Sequence, residues 1–418
     1  MARIAIISSH MEDCGIAFYA ERLKNNFETY KQHQVSIEAL DMLLLKSSNP
    51  YFVRAGNQHI ECLVKSLSSY DAVVLQYEPG LYANNLCLAQ QRVMRLISKH
   101  KNVLLTLHGH PQLDSNVSVR ECLKELSRGR FKAAITKWMS LRRQRDTHRF
   151  WKKVSKLRHV KIHTHTLQDK SLLKQLYGIE HIFDFPHALF TQQEVAAYKA
   201  QYNRNTFLQK YNLDPACKYI AIFGFYGAYK GHTTALNMLK HLPENYHLLI
   251  IGGEHPHGMQ PGNKINVYLK QILSLLESSA KHSSQSKSLA NRVQFLGHVS
   301  NNEVPEFYSV IDYVVLPYFN PHGGQSGSGP AAHALEFNCR ILFSNAFVFR
   351  YLEKYFKGAM KLCNVGNHIE FAQNILCYEN FENKIKENLK QAFIHYNPEK
   401  FVERYEEALG LGHYSKPA

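Results

Sequence analysis

No two cysteines of this 418-residue chain are neighbours. Its eight, Cys14, Cys62, Cys87, Cys122, Cys217, Cys339, Cys363 and Cys377, all lie more than four residues apart. That spacing excludes a CxxC redox pair and a local zinc knuckle. Scattered in a long chain, they read as small buried hydrophobes of a reducing compartment. Long apolar runs are missing too: no stretch of about 18 apolar residues offers a bilayer-spanning helix. The opening run Met1–Ser8 is too short for a signal peptide. There is no internal repeat of 20–50 residues, and no GxGxxG or GK[ST] phosphate loop. The expectation is a cytoplasmic protein; its charge leaves room for a peripheral position at the inner face of the plasma membrane.

The chain is 45% hydrophobic and 20% charged, a globular balance, and long enough for two sizeable cores. Lys and Arg total 50 against 34 Asp and Glu, a net charge of +16. Such an excess points to polyanionic partners: nucleic acid, an anionic membrane or phosphorylated substrates.

Short apolar runs alternate with helical patterns. Ile4–Ser8, Gln34–Leu40, Ala72–Gln76, Val103–His108 and Lys161–Thr166 read as buried strands. The pattern restarts near residue 205 with Tyr219–Phe223, His247–Ile251, Val293–Leu296, Tyr313–Leu316 and Ile341–Ser344. Continuous apolar strands separated by helices predict α/β architecture, with parallel sheets covered on both faces. The reading is two doubly wound, Rossmann-like domains, 1–195 and 205–390, and a tail, 391–418, that ends in an amphipathic helix and packs back on the first domain.

In open α/β sheets ligands bind beyond the carboxyl ends of the strands. Gly15 follows the first strand at a helix start, where backbone N–H groups can approach a phosphate; it is equally an ordinary turn glycine. His108, in His108-Gly109-His110-Pro111, suits a sugar hydroxyl or leaving group, or is one of 24 histidines on a surface loop. Phe223–Gly231 reads FGFYGAYKG and sets Lys230 between glycines at a helix start. Lysine is unfavourable there by about 0.3–1 kcal/mol unless an anion such as a diphosphate is bound. Gly323–Pro330 (GGQSGSGP) joins a buried strand to a helix. Its glycines free backbone N–H groups, Ser326 or Ser328 can cap, and Pro330 suits the first turn, so the loop is expected to bind an anion.

Taken in order, these segments resemble a GT-B glycosyltransferase of the large retaining family 4, the glycosyl transferases group 1. Further markers are Asp71–Tyr82 (DAVVLQYEPGLY), Leu105–Pro111 (LTLHGHP), Leu249–Gly253 (LIIGG), Phe295–Ser300 (FLGHVS), Asp312–Tyr318 (DYVVLPY) and Gln325–Pro330 (QSGSGP). The resemblance implies two domains facing a cleft, the second holding a nucleotide-sugar donor and the first mostly the acceptor. It implies that Lys230, with Gly231 and the backbone of Gly15, holds the donor diphosphate. His108 faces the transferring sugar, and Gly297 and His298 line the base. Ser326, Gly327, Ser328 and Gly329 belong to the donor loop. The family needs no bound metal, and the chain has no Asp-x-Asp.

Where the family carries two glutamates eight residues apart, this chain has Gln325 and His333, with Glu336 one turn on as a substitute. Phe225 stands where many members place arginine. The implied donor is a GDP- or UDP-linked sugar, with mannose as a lean. The rival readings are a binding protein that has lost catalysis and a sugar-nucleotide epimerase.

Most of the charge sits in Arg128–Lys161, where thirteen cations face one acid, Asp146, and both tryptophans occur. Phe131, Ile135 and Trp138 fall at i, i+4, i+7, as do Phe150, Val154 and Leu157, an amphipathic pattern with a basic opposite face. Trp138, Arg142, Arg143, Arg145, Trp151, Lys152 and Lys153 are the expected contact with an anionic membrane or acceptor. A solvated helix pair packed on the sheet is the plainer alternative. Nucleic acid is disfavoured because no recognised module accompanies the charge.

Overall fold

The computed structural model describes residues 1–10, 14–111, 117–253, 267–282 (side chains to 278), 288–319 and 327–411. Two compact units emerge: Met1–Leu189 with Gly324–Gly327 and Glu399–Ala418, and Phe190–Gly323 with Ser328–Pro398.

The first unit is a six-stranded sheet of β1 (Arg3–Ser8), β2 (Gln34–Ala39), β3 (Ala72–Tyr77), β4 (Val103–Leu107), β5 (Val160–Thr164) and β6 (Ile182–Asp184), ordered β2-β1-β3-β4-β5-β6. Every pairing is parallel. All residues of β3 and β4 are buried, as unbroken apolar runs require when helices cover both faces. The second unit repeats the design with β7 (Lys218–Phe223), β8 (Tyr246–Ile251), β9 (Val293–Gly297), β10 (Tyr313–Leu316), β11 (Ile341–Ser344) and β12 (Lys361–Cys363), ordered β12-β11-β10-β7-β8-β9, again parallel. Ten strands follow the apolar runs. The edge strands β6 and β12 have three residues each, too few for a periodic signal.

The unit boundaries differ from those expected. The first unit stops at Leu189 because Phe190 is already held by the second: its N–H donates to Glu336 Oε1 at 3.1 Å, and the helix Gln192–Gln201 packs on Val304–Val310. At the other end, 391–395 continue the helix Glu379–His395, where Phe393 meets Phe356 at 5.8 Å. The return to the first unit is the helix Pro398–Leu409 alone.

That helix is fastened by a buried hydroxyl. Tyr405 Oη lies 3.0 Å from Tyr19 Oη, 2.8 Å from Thr106 Oγ1 and 2.8 Å from His163 Nδ1. Nearby, His33 and Lys31 reach Glu406 at 2.9 and 3.1 Å. The eight cysteines are all free. No helix among the described residues is long and apolar enough to cross a membrane.

The basic segment forms one long helix, Phe131–Val154, after the short helix Val119–Ser127. Its residues divide along the axis instead of around it. Thr147, Phe150, Trp151 and Val154 pack into the sheet, Phe150 stacking on Tyr77 at 5.4 Å. Trp151 is 1% exposed and is therefore a core residue, against its assignment to a membrane surface, whereas Trp138 is 54% exposed. Phe131, Ile135 and Trp138 stand in one row that Arg142, Arg145 and Arg149 continue, so apolar and basic residues share one exposed face. Leu123, Leu126 and Met139 extend the apolar end, and Lys137 ties the two helices by its 3.1 Å bond to Glu125.

Candidate active site

The order of the second sheet reverses between β10 and β7, and a ligand crevice opens at the carboxyl ends of two such strands. Lys230 lies in the connection after β7 and is 5% exposed. Its Nζ donates to Tyr318 Oη at 2.5 Å and lies 4.5 and 5.2 Å from the ring centroids of Tyr318 and Tyr229. Tyr318, just past β10, also hydrogen-bonds Ser328 Oγ at 3.0 Å. Ser328 in turn caps the helix Gly329–Glu336 by accepting from Ala331 N–H at 3.3 Å. One chain of polar contacts thus links the ammonium to a helix N-terminus. Burial pushes the Lys230 pKa down, and the Tyr229 phenol only partly opposes this. Among the described residues this buried cation is held by phenols and meets no carboxylate, and a bound anion supplies a counter-charge.

Glycine is obligatory around it. Gly231 adopts φ +73°, and a Cβ there would lie 1.8 Å from the carbonyl oxygen of Pro317. Gly224, at φ +121°, would place a Cβ 2.7 Å from Lys230 Nζ. His232, directly after Gly231, is fully buried and its ring nitrogens have no hydrogen-bond partner among the described residues; burial and Lys230 push its pKa down to about 3.

Other expected donor residues are distributed as follows. Phe225 and His298 stack at 6.0 Å and 14°, with His298 exposed. The Gly297 carbonyl beside them accepts from Gly252 N–H at 2.6 Å. His333 is buried, its Nδ1 3.2 Å from Glu336 Oε2. Glu336 is 2% exposed and its other oxygen holds Phe190 N–H, so the carboxylate expected to replace a ribose-binding glutamate is engaged within the unit. Gln325 and Ser326 lie outside the described residues.

In the first unit Gly15 opens the helix Gly15–Lys31, with no atom of the described residues beyond its chain neighbours and its own helix backbone within 4 Å of where a Cβ would stand. His108 Nε2 bonds Gln76 Oε1 at 2.7 Å, and burial holds its pKa down to about 3. Two further histidines stand with it. His165 and His187 stack at 3.8 Å and 16°, and His108 is 5.5 Å from His165. A Cβ on Gly327 would come within 2.4 Å of His187 Cε1, so that donor-loop glycine makes room for an imidazole. Neither His165 nor His187 stood out in the sequence. The available signal was His163-Thr164-His165, two histidines at strand period on one face. Tyr318 closes an apolar run and carries no local signal of its own.

Residues 203–392 match the family model for Glycosyl transferases group 1. A search of curated proteins finds no match. Among solved structures the chain is similar to the sucrose-phosphate synthase of Thermosynechococcus elongatus, with TM-score 0.66 and 13% identity over 99% of this chain and 100% of that one. It is also similar to Anabaena HepE in complex with UDP and glucose, with TM-score 0.64 and 13% identity over 98% and 100%. WaaG, a glycosyltransferase involved in lipopolysaccharide biosynthesis, aligns with TM-score 0.60 and 13% identity over 98% and 100%.

Proposed function

From a chain of GT-B fold whose residues 203–392 match the glycosyl transferases group 1 model, we propose a glycosyltransferase. It moves a sugar from a nucleoside-diphosphate donor to a glycan or lipid-linked acceptor, with retention, at the cytoplasmic membrane surface. The observation that carries this reading is the buried Lys230, held by Tyr318 and linked through Ser328 to a helix N-terminus.

Departure of the donor's nucleoside diphosphate builds negative charge on its β-phosphate. A cation and N–H donors already fixed in place stabilise that charge without reorganising. Lys230 supplies the cation, and the start of Gly329–Glu336 supplies amides and the positive end of a helix dipole. The diphosphate is thereby handled without a metal. His298 and the backbone at Gly297 flank the base, His333 takes a ribose hydroxyl, and Gln325 meets the sugar. In the first unit Gly15 offers an open helix start and His108 a hydrogen bond to a sugar hydroxyl. A UDP sugar heads the donor candidates because HepE is described with UDP-glucose; GDP-mannose is second.

The exposed row running from Phe131 to Arg149 suits peripheral binding to an anionic surface: an apolar end enters the interface while the cations meet headgroups. A lipid-linked acceptor fits such an address.

A panel of nucleotide sugars read by thermal shift tests the donor reading. A ligand at 100 times its dissociation constant adds about 2.7 kcal/mol of stability. UDP-glucose or GDP-mannose is expected to raise the melting temperature of the wild type and not of Lys230→Ala; no shift with any nucleotide sugar would overturn the proposal. The replacement of the glutamate pair by Gln325 and His333 favours a second reading, a binding protein without catalysis. Multiple turnovers would exclude it.

A further inference from the structure

The histidines of the first unit point to a different ligand. Strands β4, β5 and β6 are adjacent and parallel. Each delivers one histidine at its carboxyl end: His108 directly after β4, His165 directly after β5 and His187 three residues after β6. One ring nitrogen from each lies within 4.8 Å of the other two.

His163 and His165 make the contrast that identifies the site. They are two residues apart and both buried, but His163 has both nitrogens satisfied, by Phe185 O at 3.1 Å and Tyr405 Oη at 2.8 Å. His165, 3% exposed, makes no hydrogen bond of good geometry on either nitrogen among the described residues; the Phe185 backbone beside it is already held by His163. A neutral imidazole carries one donor and one acceptor, and a buried polar group left unmet costs stability and calls for an occupant. His165 faces two imidazoles, and a cation gives all three a common partner. His108 is already oriented by its 2.7 Å bond to Gln76, the kind of outer contact that fixes a ligating ring.

We propose that His108, His165 and His187 bind a divalent transition-metal ion of the zinc type, at the carboxyl edge of the first sheet. Three imidazole nitrogens are the protein ligand set of open zinc sites, in which a water or substrate oxygen completes the tetrahedron. No carboxylate joins the three rings among the described residues, so the site disfavours the oxygen-seeking calcium and magnesium ions. Metal–nitrogen bonds of about 2.0–2.1 Å draw the three nitrogens to about 3.3 Å apart. One of the stacked rings, His165 or His187, turns about χ2 to bring its lone pair toward the ion. The inference rests on the three rings and not on the Lys230 reading; with an ion bound, His108 ligates it instead of meeting a sugar hydroxyl, because its other nitrogen is held by Gln76.

The test uses the full chain, stripped with a chelator and dialysed. Cobalt(II) titration is expected to give the visible absorption of a tetrahedral site, saturating at one equivalent per chain. Zinc at an excess over its dissociation constant is expected to raise the melting temperature. The double variant His165→Asn/His187→Asn is expected to lose the cobalt spectrum and to bind zinc at least a hundredfold more weakly. Absence of both signals in the wild type, whatever the variant does, overturns the proposal. So does a variant that binds as well as the wild type, which would place the metal on surface histidines. UDP-glucose binding, measured on the same zinc-free sample, reports separately on the donor reading.

Discussion

The two units repeat one architecture and equip it with opposite chemistry. At the strand ends of the second, a cation is buried among phenols and glycines. At those of the first, neutral imidazoles gather, with His108 and His163 held down to about pKa 3 by burial. Each arrangement lacks something. Among the described residues the ammonium meets no carboxylate, and His165 makes no hydrogen bond of good geometry. Equal burial thus leaves a cation without its counter-charge in one unit and lone-pair-bearing rings in the other, among the described residues. Breaking either set should leave the other intact.

The largest effect is expected from Lys230→Ala. Loss of one preorganised group that stabilises developing charge costs about 10²–10³ in kcat. Turnover of the accepted nucleotide sugar should fall by that factor, while liposome binding stays unchanged. An equal loss of both would mean that the variant has unfolded, which circular dichroism would show.

Next comes the exposed basic row. Each Lys or Arg near an anionic surface contributes about 1 kcal/mol. Removing Arg142, Arg143 and Arg145 together should weaken partition onto phosphatidylserine vesicles about a hundredfold, with donor affinity unaltered. Trp138→Ala should also weaken it. Trp151→Ala should instead lower the melting temperature, because that ring is in the core.

That pair of tryptophans shows how far the sequence could be read. Both sit in one basic segment at helical spacing, and periodicity alone gave them one role. The helix runs unbroken through 131–154, and its sheet-facing positions begin only near Thr147. Which turns meet the sheet is a tertiary fact that no local pattern holds. The sequence singles out Lys230 for the opposite reason: a lysine between glycines at a helix start conflicts with local preference, and the structure buries it against Tyr318. The strand runs that build both sheets were legible because they are continuously apolar. The His108, His165 and His187 cluster was not, since its members lie 57 and 22 residues apart and meet only because β4, β5 and β6 are neighbours.

A smaller loss is expected from Tyr405→Phe, which probes the first unit alone. The variant keeps the ring and removes the hydroxyl that Tyr19, Thr106 and His163 share. Buried groups left without a partner cost about 1–3 kcal/mol. Urea unfolding should register that loss with unchanged donor affinity.

The pH dependence of donor binding separates the two chemistries most finely. A diphosphate favours the charged form of Lys230. Burial lowers the pKa of that lysine in the donor-free protein, below the 10.4 of an ordinary side chain. Donor affinity should therefore be flat at lower pH and then fall, up to tenfold per unit, starting at a pH below the ordinary lysine range. Stability of the donor-free protein should move the other way across that window. There the unfolded chain binds the proton that the folded one has released, so unfolding becomes costlier as pH rises. Lys230→Arg keeps the charge to above pH 12 and should remove the alkaline fall, even if its geometry weakens binding overall. Imidazoles make the contrasting prediction. With His108 neutral down to about pH 3, donor affinity should show no inflection at the ordinary histidine value of about 6.5. An inflection there that survives both in Lys230→Arg and in His298→Gln/His333→Gln would show that an imidazole of the first unit titrates with the donor, and the division of chemistry between the two units would fail.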